Sequence, residues 1–254
     1  MIKPIIIGNW KLNGNKVFIR KFFEPLNRFL SKYHKKCTVI ITPPVLYIYL
    51  IQKIFSSNNK KFFLGSQNVD NHILGPFTGE ISSCMLKDIG VKYVIIGHSE
   101  RRFNHKESNT IIAKKFHILK EKKLIPILCI GETQEEKINK KTKEICMEQI
   151  DVIFNICGSY AFDNSIIAYE PIWAIGSKNS AKAKEVQYIS HFIRNYIKSK
   201  INHKIKNFFI QYGGSVTRKN AKKLITQKDV DGFLIGGSSL KLKEFTKIIE
   251  ITNI

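Results

Sequence analysis

Short apolar runs alternate along the chain with longer stretches in which apolar residues recur every three or four positions. The runs are Ile5 to Trp10, Thr38 to Thr42, Phe62 to Ser66, Tyr93 to Gly97, Ile125 to Ile130, Ile166 to Tyr169, Phe208 to Tyr212 and Gly232 to Ile235. Near-continuous apolarity over such short lengths predicts strands buried on both faces, as in a parallel sheet. Between them, Val17 to Tyr33, Asn109 to Glu121, Glu144 to Ile156 and Val186 to Ile201 have the spacing of amphipathic helices. Eight strand-helix units without a proline- or glycine-rich linker predict one α/β domain over residues 1–254, a closed (β/α)8 barrel of eight parallel strands. A barrel of this kind takes about 250 residues. A doubly wound open sheet is the alternative, but its outer strands would be edges, and here the first and last runs both read as buried.

The polar residues that interrupt this pattern gather where the runs end. Ile166-Ile-Ala-Tyr-Glu-Pro-Ile-Trp-Ala-Ile-Gly176 begins as a strand and stops at Glu170, because Pro171 has no N–H for a ladder and restricts its predecessor. Glu170 therefore sits at the carboxyl end of a strand, where α/β folds place ligands. Trp173 and Ile175 then supply an apolar cover, which suits a base beneath a lid; a strand-end glutamate that pairs with a lysine is the plainer reading. The first run ends Gly8-Asn9-Trp10-Lys11, and alternation puts Asn9 and Lys11 on one side and Trp10 on the other. The fourth ends in His98, followed by the polar run Ser99-Glu-Arg-Arg102. The positive end of a helix starting there would favour a neutral ring able to donate a hydrogen bond. Tyr212-Gly-Gly-Ser215 and Gly236-Gly-Ser-Ser239 close the seventh and eighth runs. Paired glycines admit a ligand to the backbone, and barrels commonly bind phosphate in these two loops. The long segment Gln67 to Glu80 carries Ile73, Leu74 and Phe77, which suggests insertion into a second subunit.

Composition changes the picture in two places. Lys and Arg number 42 against 20 Asp and Glu, a formal charge of +22. Such an excess can mark a nucleic-acid or membrane binder. Here the lysines are spread over nearly every expected helix, without a basic tail or aromatic interleaving, so neither partner is expected. The five cysteines form no C-x-x-C pair, so no metal site or disulfide framework is predicted and a reducing compartment fits. No run approaches the length of a membrane span, and the chain enters its first strand without a signal-like segment. A cytoplasmic protein is the expectation.

Taken together, Gly8-Asn-Trp-Lys11, Gly97-His-Ser-Glu-Arg-Arg102, Cys129-Ile-Gly-Glu132, Ala168-Tyr-Glu-Pro-Ile-Trp-Ala-Ile-Gly176, Tyr212-Gly-Gly-Ser215 and Gly236-Gly-Ser-Ser239 resemble the triosephosphate isomerase family, in order and over nearly the whole chain. That family is itself a standard worked case of a glutamate base paired with a neutral histidine. The resemblance implies a TIM barrel that interconverts dihydroxyacetone phosphate and D-glyceraldehyde 3-phosphate without metal or organic cofactor. It assigns Glu170 as base, His98 as electrophile, and Lys11 and Asn9 as the groups that orient substrate and stabilise the enediolate. Backbone N–H groups of Gly176, Ser215, Gly236 and Gly237 would hold the phosphate. Glu100 would partner Lys11, and Glu132 would be a structural carboxylate. The resemblance also implies a homodimer in which Thr78 reaches the other subunit near its Asn9 and Lys11. In a closed lid, Tyr212 would pair with Ala181 and Ser215 with Lys178. The lid departs from the family pattern, reading Gly176-Ser-Lys-Asn-Ser-Ala181 with Lys178 and Asn179 in place of its tip glycine and hinge lysine. The expectation is retained chemistry with altered lid kinetics. Another phosphate-binding barrel would share the glycine pairs but leave Asn9, Lys11, His98 and Glu170 unexplained.

Overall fold

The computed structural model describes residues 3–33, 36–55, 61–176 and 180–252. Eight strands pair in parallel in chain order: β1 (Ile5–Asn9), β2 (Thr38–Thr42), β3 (Phe63–Ser66), β4 (Tyr93–Ile96), β5 (Ile125–Ile130), β6 (Ser165–Tyr169), β7 (Phe208–Tyr212) and β8 (Gly232–Ile235). The last strand returns to the first, from Ile5 opposite Gly232 to Gly8 opposite Ile235, so the sheet is a closed (β/α)8 barrel. That pairing excludes the open sheet, and it leaves none of these strands with a free edge.

Alternation along each strand divides the core in two. Ile7, Ile40, Ile95, Ile127, Ala168 and Leu234 point inward and fill the barrel. Their neighbours Ile6, Ile41, Val94, Leu128, Ile167 and Phe233 point outward against the helices. Trp10 joins this outer layer, its ring 5.0, 5.0 and 5.3 Å from those of Phe18, Phe22 and Phe23. Its burial between strand and helix is what turns Asn9 and Lys11 the other way.

Around the barrel lie α1 (Lys16–Leu30), α2 (Ile48–Ile54), α3 (Ser83–Asp88), α4 (Ser99–Asn104), α5 (Asn109–Glu121), α6 (Gln134–Ile138), α7 (Thr142–Cys157), α8 (Ala183–Ser199), α9 (Ala221–Ile225) and α10 (Leu242–Thr252). Local chemistry starts them. The Asn15 carboxamide accepts from the Phe18 N–H at α1, and Thr133 and Glu136 form a reciprocal capping box at α6. The expected single helix per strand fails twice, since α4 and α5 both follow β4, and α6 and α7 both follow β5. Each pair is divided by a lysine of positive φ, Lys106 at 55° and Lys140 at 58°. That conformation ends one helix before the next begins. Gly97, expected within a strand, instead leaves β4 at a φ of 67° and turns the chain toward His98.

Candidate active site

The carboxyl ends of the strands surround a cavity of about 210 Å³. Asn9, Lys11, His98, Glu170, Gly176, Ser215, Gly236 and Gly237 all line it. The eight residues expected to bind or react are therefore brought to one place.

Glu170 follows β6 directly and is almost fully buried. Its N–H donates to the Ile130 carbonyl at 2.7 Å, which extends the sheet by one residue and fixes the side chain's direction. Room for that side chain comes from Gly213, where a Cβ would collide with the glutamate Cγ. One carboxylate oxygen, Oε1, lies 3.6 Å from His98 Nε2, too far for a hydrogen bond. The other, Oε2, is buried and has no hydrogen-bond partner among the described residues. An unpaired buried oxygen costs stability, and it leaves a lone pair free to take a proton.

His98 occupies the cap position of α4, and its Nδ1 accepts from the Glu100 N–H at 3.2 Å. An imidazole nitrogen that accepts is unprotonated, so the neutral ring carries its proton on Nε2, the nitrogen nearer Glu170. Lys11 departs from the usual backbone at a φ of 51°. Its ammonium pairs with Glu100 Oε1 at 2.6 Å, as expected for that residue. The Lys11 N–H donates to Asn9 Oδ1 at 3.0 Å, so the amide oxygen is occupied and the NH2 remains available to the cavity.

The glycine turns form the opposite wall. A Cβ on Gly237 would meet nothing within 4 Å, and one on Gly236 would meet only the Lys11 side chain, at 3.6 Å. Gly176 has a φ of 64°, the left-handed region where glycine is unstrained. Ser215 differs from expectation. Its N–H donates to the Ala174 carbonyl at 3.0 Å and is already engaged. Among the described residues its hydroxyl has no partner, so the hydroxyl is the donor it offers here.

Residues 4–252 match the triosephosphate isomerase family. The chain is 73% identical over 254 residues to the triosephosphate isomerase of Buchnera aphidicola subsp. Cinara cedri, covering all of both chains. It is 51% identical over 249 residues to that of Blochmanniella floridana, covering 98% of this chain and 95% of the relative. With the Haemophilus influenzae enzyme it shares 47% over 254 residues, covering 98% and 96%. The chain belongs to the triosephosphate isomerase family.

Triosephosphate isomerase motifs outside the cavity find roles as supports. Glu132 accepts from Trp173 Nε1 at 2.9 Å and from the Tyr169 hydroxyl at 3.1 and 3.2 Å, tying the start of the lid segment to the barrel. Burial raises its carboxyl pKa, against those hydrogen bonds. Arg102 donates to the carbonyls of Gly97 and Cys129 at 2.7 and 3.0 Å, joining the ends of β4 and β5. The expected Tyr212 to Ala181 pair is present, with the Ala181 N–H donating to the Tyr212 hydroxyl at 3.2 Å. Gly214 makes that possible, since a Cβ there would run into the hydroxyl. Lys178 and Asn179 lie outside the described residues, and with them the expected Ser215 to Lys178 pair. Two supports were not foreseen. Gly213 clears space for the glutamate, and Gln67 holds the turn at Lys11 by donating to the carbonyls of Lys11 and Thr42 at 2.9 and 2.8 Å. The Gly213-Gly214 doublet was a readable signal for the first; nothing in the sequence marked the second.

Proposed function

We propose that Glu170, His98, Lys11 and Asn9 carry the chemistry of this chain and that the glycine turns hold its substrate. The reaction is an aldose-ketose isomerisation, between dihydroxyacetone phosphate and D-glyceraldehyde 3-phosphate through an enediolate, a step of glycolysis and gluconeogenesis. Both isomers have the same oxidation level, so the conversion moves protons only and calls for no redox cofactor or metal. Glu170 takes a proton from the carbon beside the carbonyl and returns it to the former carbonyl carbon, while His98 moves the hydroxyl proton from one oxygen to the other. Negative charge develops on oxygen meanwhile, and donors already aimed there stabilise it without reorganising. His98 Nε2–H, the Lys11 ammonium and the Asn9 amide are those donors. The phosphate rests against Gly176, Gly236, Gly237 and the Ser215 hydroxyl, and that grip supplies binding energy for closing the lid over the reacting carbons.

The observation that carries this reading is the buried oxygen of Glu170, unpartnered among the described residues, near a histidine whose Nδ1 accepts from the Glu100 backbone N–H. A coupled isomerase assay tests it. Glu170→Gln should lower kcat by about 10³-fold or more, in the upper range for a positioned general base. Equal rates in the two proteins would remove Glu170 from the mechanism.

The chain is read as one domain working as a cytoplasmic homodimer, without nucleic-acid or membrane partners. Support for the dimer comes from Leu12, Leu46 and Leu74, which are 96%, 82% and 90% exposed. Leu12 and Leu46 line an open groove of about 730 Å³ that also touches Asn9, Lys11 and His98. The segment Gln67 to Glu80 of a second copy, led by Leu74, Phe77 and Thr78, would cover this groove beside the reacting groups. Sedimentation should find a dimer, with activity falling on dilution into monomer; a fully active monomer would overturn the dependence on the interface. Among the described residues no helix is long and apolar enough to cross a membrane.

A further inference from the structure

At the amino ends of the strands lies a second cavity, of about 540 Å³, larger than the one beneath Glu170. It is separated from the catalytic groups by the length of the barrel, roughly 17 Å for a strand of five residues. Its volume falls in the range of small-molecule sites, roughly 300 to 1,000 Å³. The floor is apolar and partly aromatic, formed by Ile5, Ile125, Ile166, Tyr93 and Phe209. Lys92, Lys120 and Lys123 stand around it, and no Asp or Glu is in its lining.

Lys92 and Lys123 are not spent on carboxylates, while Lys120 is held near Asp163. Among the described residues, no carboxylate lies within ion-pair distance of Lys92 or Lys123, and Lys120 donates to the backbone carbonyl of Asp163. Lys92 stands 5.1 and 5.9 Å from the ring centroids of Phe63 and Tyr93, so a cation already borders an aromatic surface. The Tyr93 hydroxyl has no hydrogen-bond partner among the described residues, and burial raises its pKa, keeping it a donor. On the remaining side Asn164 and Asn207 have φ of 52° and 48° and share a side-chain hydrogen bond of 2.8 Å. That bond uses one amide group of each and leaves the outer donor and acceptor unused.

We infer that the amino end of the barrel is a second binding site, for a small phosphate-bearing ligand with a flat heteroaromatic ring, the nucleotide class. The ring lies on the Tyr93 and Phe209 floor, the asparagine pair meets its polar edge, and the phosphates take the three ammonium groups, which suit phosphate as point charges.

Titration of the full-length protein with ATP by calorimetry, at about physiological ionic strength so that the general field is screened beyond roughly 8 Å, tests this. The expected result is one ATP per chain, bound also in saturating triose phosphate. Affinity should fall by about tenfold or more, 1.4 kcal/mol, in Lys92→Ala/Lys123→Ala. It should be unchanged in Lys222→Ala/Lys223→Ala, which removes the same charge from exposed positions of α9. The Lys92/Lys123 variant should keep wild-type isomerase activity, showing that it folds. Any of four results would overturn the inference: no saturable binding, displacement of ATP by triose phosphate, equal weakening in both double variants, or inorganic triphosphate binding as tightly as ATP.

Discussion

The two cavities of the barrel use charge in opposite ways. Beneath the lid segment Glu170 and His98 are buried, and behind them the Glu107 and Lys115 pair is buried as well. At the other end Lys92 and Lys123 reach into solvent and Lys120 is half-buried. A buried charge is costly, so each one at the catalytic end is held by a defined partner or left free for a reason. Exposed lysines cost little and hold little, which suits binding an anion but cannot position a proton transfer. Chemistry and simple recognition thus demand different depths of burial within one fold.

Three substitutions sharpen this contrast, in descending order of effect. Glu107 Oε1 lies 2.6 Å from both Lys115 Nζ and Arg101 Nε. Breaking that pair with Glu107→Gln leaves Lys115 buried without its counter-charge and should cost about 3–5 kcal/mol in denaturant unfolding. The pair also sets a pH dependence. Burial pushes the Glu107 carboxyl up, but the Lys115 ammonium and Arg101 guanidinium outweigh burial and hold it below its ordinary value of 4.5. A depressed carboxylate contributes stability that is complete above the ordinary value and is lost as pH falls through the folded one. Wild type should therefore lose stability below pH 4.5 more steeply than Glu107→Gln, in thermal melts at stepped pH. Parallel curves would show that the pair contributes nothing there.

Gly213→Ala comes next. Its Cβ collides with the side chain of Glu170, the proposed base, and displacing such a group by about 1 Å costs on the order of 100-fold in kcat. KM should change little, because the phosphate wall is untouched; a variant with wild-type kcat would mean that the carboxylate tolerates the shift. The smallest effect belongs to Tyr212→Phe, which removes the acceptor of the Ala181 N–H. Burial pushes the Tyr212 hydroxyl up to about 12, so it remains a neutral hydroxyl throughout any assay range. Its loss should cost about 1 kcal/mol, seen as a fall of about 2–4 °C in Tm. An unchanged Tm would place water in that role.

Much of the barrel could be read from the chain because parallel strands are buried on both faces and so appear as uninterrupted apolar runs. Four of the eight observed strands, Thr38–Thr42, Ile125–Ile130, Phe208–Tyr212 and Gly232–Ile235, coincide with such runs, and the other four differ by one residue at one end. The groups proposed to react were readable because each follows the end of a strand, so closing the barrel gathers them without further information. What stayed hidden depends on distance through space. Glu107 and Lys115 lie eight residues apart, but their burial beside Asn68 follows from the packing of loops that no local pattern records. The engagement of the Ser215 N–H by Ala174 is likewise a relation between two loops. Lys120 and Lys123 are close in sequence, but the arrival of Lys92 beside them at the amino end is a relation through space.

The left-handed backbone of Lys11 carries a consequence for how this molecule could be made sturdier. A side chain in that region costs of order 1–3 kcal/mol, which a glycine would recover. Improvement of folding alone would thus favour erasing the ammonium that steadies the enediolate in the proposed mechanism. Any engineering campaign scored only by heat resistance would be steered toward an inert barrel at this position.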